Sequence, residues 1–96
     1  MAYRLQFLPE ALKEWEALDG SIKAPLRAAL KKRLENPHVP SAVLGSKLAG
    51  CYKIKLRKQG YRLVYVVEDE VLVVIVLAIG KRERLAAYEY ALKRLI

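Results

Sequence analysis

Three cations recur at every second position within one short segment, Cys51 to Arg62 (CYKIKLRKQGYR). Side chains of a β-strand alternate between its two faces, so Lys53, Lys55 and Arg57 are predicted to share one face. Like charges that lie this close repel each other, and an anionic partner relieves the repulsion. The row therefore predicts binding of an anion, with Arg62 on the following strand as a further cation.

The same pattern has a second interpretation that involves no ligand. An edge strand often carries lysine on a solvated outer face, where the charge prevents edge-to-edge aggregation. The alternation by itself favours neither interpretation, and Arg62 weighs towards an anion site.

Other basic and aromatic residues could extend such a site. A run of charged residues, Lys81 to Arg84, follows Gly80. A predicted second helix carries a basic outer face that includes Lys31, Lys32 and Arg33, which is typical of a solvated surface but also suits an RNA backbone or an acidic partner. Tyr88 is interpreted first as a packing residue and second as a ring offered to a base.

Metal-ligating and thiol chemistry find little support. His38 is the only histidine and lies between two prolines, and the sequence has no cysteine pair or carboxylate cluster to join it. We therefore expect an exposed loop histidine and no metal. Cys51, the only cysteine, is expected to be a small packed residue, and the lack of an internal disulfide favours a cytoplasmic protein.

The composition limits the classes of protein. A chain of 96 residues predicts one domain, residues 1–96, and 54% hydrophobic residues allow a real core. The net charge of +8 predicts an anionic partner, which could be nucleic acid, an acidic protein or an anionic membrane surface. The longest apolar run, Val71 to Ile79, is about half the length of a membrane helix.

The elements that must position the basic residues follow from periodicity and turn signals. The pattern predicts a helical hairpin, from Pro9 to about Asn36, laid on one face of a sheet, and a last helix that runs to the C-terminus. The predicted strands are residues 2–7, 51–57, 61–67 and 71–79, with the last as a central strand that Gly80 ends.

The register of the hairpin around Lys58-Gln59-Gly60 decides which side chains meet. A two-residue loop at Lys58-Gln59 sets Lys55 opposite Arg62, whereas a three-residue loop with a bulged Gly60 places Leu56 there. The residues themselves leave this open.

The motifs CYKIKLR, GYRLVY and GKRER, with Tyr88 after them, resemble the RelE toxins of bacterial toxin–antitoxin pairs. The opening MAY, ALKEW further on and the valine-rich strand extend the likeness over nearly the whole chain. The resemblance implies a small α/β (α+β) fold, with a four-stranded antiparallel sheet, an N-terminal helical hairpin and a C-terminal helix. It also implies a metal-independent endoribonuclease that cuts mRNA in the ribosomal A site without a cofactor.

The resemblance further implies partners and roles. The partners are an acidic RelB-like antitoxin, the ribosome and mRNA, with operator DNA bound only through the antitoxin complex and no membrane. Lys53 and Lys55 match the lysines that contact the phosphate and supply the general base. Arg62 matches the arginine that stabilises charge on the scissile phosphate, Arg82 the arginine at the leaving oxygen, and Tyr88 the tyrosine that orients the cut nucleotide. This likeness favours Lys55 opposite Arg62.

Further RNA contacts are expected from basic residues around this set: Arg57, Lys81, Arg84, Lys31 and Lys32. Two positions depart from the family pattern, Ala49, where some members carry arginine, and Leu85, where a small polar residue is commoner. Two alternatives stay open: a ParE-like toxin that inhibits DNA gyrase without nuclease activity, and a basic RNA-binding module without catalysis.

Overall fold

A four-stranded mixed sheet forms the centre of the computed structural model, which describes residues 2–82 and 86–95. The strands lie in the order β1-β4-β3-β2. They comprise β1 (Arg4–Phe7), β2 (Cys51–Leu56), β3 (Tyr61–Glu68) and β4 (Val73–Lys81). Three helices accompany them, α1 (Pro9–Glu16), α2 (Gly20–Glu35) and α3 (Ala86–Arg94). The combination of a small sheet with helices confirms the predicted fold class.

One strand pair differs from the prediction of an antiparallel sheet. The strands β2, β3 and β4 form an antiparallel meander, but β1 pairs with β4 in parallel. Tight turns force antiparallel neighbours, whereas the long connection from β1 through α1 and α2 leaves the direction of β1 free. The entirely antiparallel sheet is therefore wrong at this one edge.

The helices cover opposite faces of the sheet. The predicted helical hairpin, α1 and α2, packs on one face, where Leu26 and Leu30 are buried against Leu63 and Tyr65. The helix α3 packs on the other face over Val64 and Ala78 through two alanines, Ala87 and Ala91. No helix among residues 2–82 and 86–95 is long and apolar enough to cross a membrane.

The valine-rich strand β4 lies between β1 and β3, which confirms the prediction of a central strand. Its bounds differ from those predicted. A 3-10 turn over Asp69–Val71 and a left-handed Leu72 (φ 55°) delay its start to Val73. Gly80 does not end the strand, because β4 continues through Lys81 and Gly80 pairs with Arg62 of β3.

The β2–β3 register sets Lys55 opposite Arg62 and Leu56 opposite Tyr61. The connection is neither of the two simple loops considered from the sequence. Residues 57–60 form a turn in which the N–H of Gly60 donates to the carbonyl of Leu56 at 2.8 Å. Gly60 has φ +72°, a left-handed conformation that suits glycine. The strand β2 ends at Leu56, so Arg57 belongs to this turn rather than to the strand.

Candidate functional site: a basic row beneath the last helix

Three neighbouring positions, one each on β2, β3 and β4, form a row across the sheet close to the β2–β3 turn. Lys55 lies opposite Arg62, and Arg62 lies opposite Gly80. Adjacent strands are about 4.8 Å apart, so the two cationic side chains rise side by side from one face. Lys53 pairs with Val64, which α3 covers, so the predicted lysine row shares its face with that helix.

The cations around Lys55 favour the neutral form of this one side chain. The pKa of Lys55 is lowered, first by the charge of Lys53, then by partial desolvation and by the charges of Arg62 and Arg57. A hydrogen bond with Lys53 acts in the same direction. Crowding therefore raises the fraction of Lys55 in the neutral form, the form that can accept a proton.

Arg62 lies against the aromatic ring of Tyr88. Its guanidinium carbon is 5.0 Å from the centroid of that ring. This cation–π contact joins β3 to α3. Both side chains are half-buried. The Nε atom of Arg62 is buried and has no hydrogen-bond partner among the described residues. Tyr88 is thus a packing residue and a neighbour of the basic row at once.

Gly80 lets α3 approach the sheet at this row. A Cβ atom built on Gly80 would lie 2.7 Å from the backbone nitrogen of Ala87 and 2.8 Å from the Cβ of Ala86. A methyl group does not fit in that space, so glycine is required for the present position of α3. Sequence reasoning treated Gly80 only as a strand end and missed this role.

Arg82 is brought to the site by the β2–β3 turn. Its backbone N–H donates to the carbonyl of Gly60 at 2.8 Å, just beyond the last paired residues of β3 and β4. The side chain is exposed. Arg82 therefore lies at the open end of the row, where it can reach a ligand without moving core residues.

A polar cleft at the free edge of β2 continues the basic surface. Arg33, Ser41, Lys53, Lys55 and Arg57 line it. Arg33 was assigned from the sequence to the outer face of α2, but its guanidinium donates to the carbonyl of Lys53 and to the hydroxyl of Tyr65, both at 3.0 Å. Only the tertiary fold places this arginine beside the lysine row.

The other expected RNA-binding residues are not gathered at the row. Lys81 lines a cavity with Glu14 and Tyr61 on the face covered by α1. Lys31 lies beside Leu5 of β1, at the edge opposite β2, and Lys32 is exposed on α2. Their contact with RNA stays a prediction. Arg84 and Leu85 lie outside the described residues.

The single histidine is part of a polar cluster at the other end of the sheet. His38 is exposed, as expected, but its Nδ1 lies 2.8 Å from the hydroxyl of Tyr52 and its Nε2 lies 2.7 Å from Asp69. Tyr3 donates to the same carboxylate at 2.7 Å. Cys51 is buried, and burial raises its pKa, which fits a packed residue. The described residues contain no group of three potential metal ligands.

The sequence of the chain matches known proteins along nearly its whole length. Residues 5–86 match the family described as the ParE toxin of the type II toxin–antitoxin system parDE. The chain is 48% identical over 96 residues to the mRNA interferase toxin RelE of Escherichia coli K12, with 100% of both chains covered.

Solved structures agree with the sequence comparison. A mutant of the E. coli toxin RelE in the free state matches with a TM-score of 0.88 at 45% identity, and 100% of both chains is covered. The toxin in the intact E. coli RelBE toxin–antitoxin complex matches with a TM-score of 0.80 at 46% identity, over 83% of this chain and 96% of that one.

Proposed function

Because the chain belongs to the RelE family of toxins, we propose that its basic row cleaves mRNA in the ribosomal A site and so inhibits translation. The protein is a metal-independent endoribonuclease, an mRNA interferase, and the toxin of a toxin–antitoxin pair. The observation that supports the site most strongly is the meeting of Lys55 with Arg62, and of Arg62 with Tyr88, on one face. The proposed catalytic residues are Lys53, Lys55, Arg62, Arg82 and Tyr88.

The reaction uses the 2′-hydroxyl of the RNA as its nucleophile. This oxygen attacks the adjacent phosphorus, the bond from phosphorus to the 5′ oxygen breaks, and the products are a 2′,3′-cyclic phosphate and a 5′-hydroxyl. The protein must accept the proton of the 2′-hydroxyl, offset the negative charge at phosphorus and stabilise the leaving oxygen. No side chain forms a covalent bond with the substrate, and no cofactor is required.

Lys55 is the proposed general base. An ordinary lysine, with a pKa near 10.4, is almost wholly protonated at neutral pH and is a poor base. The lowered pKa of Lys55, caused first by Lys53, gives a larger neutral fraction before substrate binds. A bound phosphate opposes that shift, so only the fraction of Lys55 that is neutral in the complex accepts the proton.

Arg62 and Arg82 stabilise charge. Neither arginine is acidic enough to give up a proton readily, so both act as fixed donors towards phosphate oxygens and the leaving oxygen. One preorganised donor of this kind can contribute about 3–4 kcal/mol to the transition state. Tyr88, which packs on Arg62, presents the remainder of its ring to the nucleotide at the cut.

The ribosome supplies the alignment that this set of side chains lacks. Alignment of reacting groups can contribute about 7–11 kcal/mol, more than lysine and arginine can provide as acid and base. The ribosome holds the mRNA bent so that the 2′-hydroxyl lies in line with the leaving oxygen. The isolated protein is accordingly almost inactive on free RNA.

The net charge of +8 makes an acidic, RelB-like antitoxin the natural partner. A solved complex of the E. coli toxin and antitoxin contains a chain of this fold. The antitoxin covers the basic helix surface and covers or displaces α3 near Tyr88, and the complex binds operator DNA through the antitoxin. The single buried cysteine and these partners fit a cytoplasmic protein without membrane attachment.

A second function, inhibition of DNA gyrase, is favoured by the match of residues 5–86 to the ParE family. The arginine and tyrosine set at the row supports the nuclease instead. Parallel assays of translation and of gyrase supercoiling separate the two. Inhibition of supercoiling without any effect on translation would assign the chain to the ParE type.

Substitution of the RNA nucleophile tests the proposed chemistry. An mRNA with a single 2′-deoxy sugar on the 5′ side of the cut should bind programmed ribosomes normally and resist cleavage at that bond. Unmodified mRNA should yield a 5′-hydroxyl and a cyclic phosphate or its opened 3′-phosphate. Cleavage next to the deoxy sugar, or fragments with 5′-phosphates, would show that water attacks directly and that the lysines have another role.

A further inference from the structure

Within residues 2–82 and 86–95, the edge of β4 has no strand partner beyond the end of β1. β1 pairs with β4 only as far as Phe7 and Val76, and the N–H of Leu8 donates to the carbonyl of Val76 at 3.1 Å. Further along the same strand, the carbonyl of Leu77 accepts from Arg94 Nη1 at 2.8 Å, and the N–H of Ile79 donates to Glu14 Oε1 at 3.1 Å. Two side chains thus replace the missing strand.

These two side chains also bind each other. Arg94 Nη1 donates to Glu14 Oε1 and Arg94 Nη2 donates to Glu14 Oε2, both at 2.8 Å, a bidentate pair. The Arg94 side chain is 15% exposed and the Glu14 side chain is 22% exposed, so the pair is shielded from solvent more than a surface ion pair. Glu14 belongs to α1 and Arg94 to α3, so this clip joins helices on opposite faces of the sheet.

Besides this pair, the helix α3 is held at its C-terminal half by modest apolar contacts of Ala91 and of half-buried Leu92, which lines a cavity with Leu48. It has nine residues, and its two buried side chains, Ala87 and Ala91, offer only one methyl group each to the sheet. At about 0.8 kcal/mol per buried carbon, this apolar contact is weak. The N-terminal end of α3 rests on Gly80, and the clip holds the other end.

The position of α3 determines where Tyr88 lies. Tyr88 and Arg94 are six residues apart on one helix, or about 9 Å along its axis. Release of the C-terminal end would let α3 tilt about its contact with Gly80 and carry the Tyr88 ring away from Arg62. The guanidinium, whose Nε is buried and has no hydrogen-bond partner among the described residues, would then lose the ring that sets its orientation.

From these contacts we infer that Glu14 and Arg94 are positioning residues for RNA cleavage, which hold α3 so that Tyr88 keeps Arg62 aimed at the scissile phosphate. This inference rests on the proposed function. Neither residue touches the substrate, and both act through α3. The Glu14–Arg94 pair also satisfies one N–H and one carbonyl of β4. Its polarity, meaning which position carries the donor and which the acceptor, therefore matters as well as its opposite charges.

The test compares Arg94→Met with Lys93→Met, an exposed neighbour on the same helix, and Glu14→Gln with Glu16→Gln, an exposed neighbour on α1. Cleavage of mRNA on programmed ribosomes is measured as kcat and KM for each variant. Arg94→Met should lower kcat by about 10-fold to 100-fold with little change in KM, the expected effect of a misplaced catalytic group. Glu14→Gln keeps an oxygen for the N–H of Ile79 and should lose less, and both controls should match the parent.

A second measurement does not depend on cleavage. In the parent, protons of the Arg62 side chain should show a ring-current shift from Tyr88 in NMR spectra, and the amide of Ile79 should exchange slowly. Arg94→Met should reduce that shift and hasten exchange at Ile79 and along α3. These results apply even if the parent does not cut mRNA, so failure of the inference can be told from failure of the proposed function.

Two outcomes would overturn the inference. A variant that is destabilised but cuts with the parent kcat would limit the clip to a structural role. A rise in KM with kcat unchanged would indicate ribosome binding instead. Full recovery in the exchanged pair Glu14→Arg with Arg94→Glu would support the positioning role and would overturn the claim that polarity matters, because the exchanged pair cannot satisfy Ile79 and Leu77. If Arg94→Met does not fold, Glu14→Gln decides by the same two measurements.

Discussion

The substitution Gly80→Ala tests whether the close approach of α3 to the sheet matters for stability and for cleavage. The new methyl group would lie 2.7 Å from the backbone nitrogen of Ala87. To reach an ordinary contact of 3.4 Å, α3 must recede by about 0.7 Å, because the obstructing atoms include backbone that cannot rotate away. The shift moves the whole helix, and Tyr88 with it.

The expected cost follows from two opposing effects. Overpacking at a well-packed contact costs about 1–3 kcal/mol, and loss of glycine flexibility in the unfolded chain returns about 0.4–1 kcal/mol. A net loss between about 0 and 2.6 kcal/mol is therefore expected. Gly20→Ala is the matched control, since a Cβ there meets nothing within 4 Å and should add about 0.4–1 kcal/mol of stability.

Urea unfolding of Gly80→Ala and Gly20→Ala measures the effect on stability as a change in the unfolding midpoint at constant slope. Cleavage of mRNA on programmed ribosomes measures the effect on catalysis. Gly80→Ala should cut about 10-fold to 100-fold more slowly, because displacement of a catalytic group by about 1 Å can cost that much. Equal midpoints for the two variants would refute the packing argument. A destabilised Gly80→Ala that cuts at the parent rate would separate α3 from catalysis.

Four further predictions concern single groups. Arg82→Ala should change the free energy of unfolding by less than about 0.5 kcal/mol and yet abolish most cleavage and toxicity with antitoxin binding intact; a fully toxic variant would make Arg82 a solvated charge. Arg57→Met removes one of the charges that lower the pKa of Lys55, so that pKa should rise. The increase of the single-turnover cleavage rate with pH should then occur at higher pH. An unchanged pH profile would count against Lys55 as the base. Cleavage should survive chelation on ribosomes kept intact by polyamine, and restoration by one specific metal would contradict this. The pKa of Asp69 is lowered by hydrogen bonds from His38 and Tyr3, so its contribution to stability is present above about pH 4 and is lost as the pH falls below it; Asp69→Asn should flatten this acid limb of unfolding experiments, and an unchanged limb would refute it.

Local periodicity was sufficient to predict much of the site. Because side chains alternate along any strand, the sequence alone put Lys53 and Lys55 on one face, and the structure agrees. Apolar spacing identified the helical hairpin, and the absence of polar residues from 71–79 identified the central strand. The resemblance to RelE toxins supplied what periodicity could not, namely the register of Lys55 with Arg62 and the function.

Contacts between distant segments were decided only in three dimensions. The parallel pairing of β1 with β4 depends on how α1 and α2 cross the sheet, which no local pattern encodes. Arg33 looked like one more cation on a helix surface until the fold turned it to the edge of β2. Glu14 and Arg94 are 80 positions apart, and each is an ordinary charged residue in its own helix. They meet because β1 ends before β4 does, and the unpaired backbone groups of β4 require a donor and an acceptor at that place.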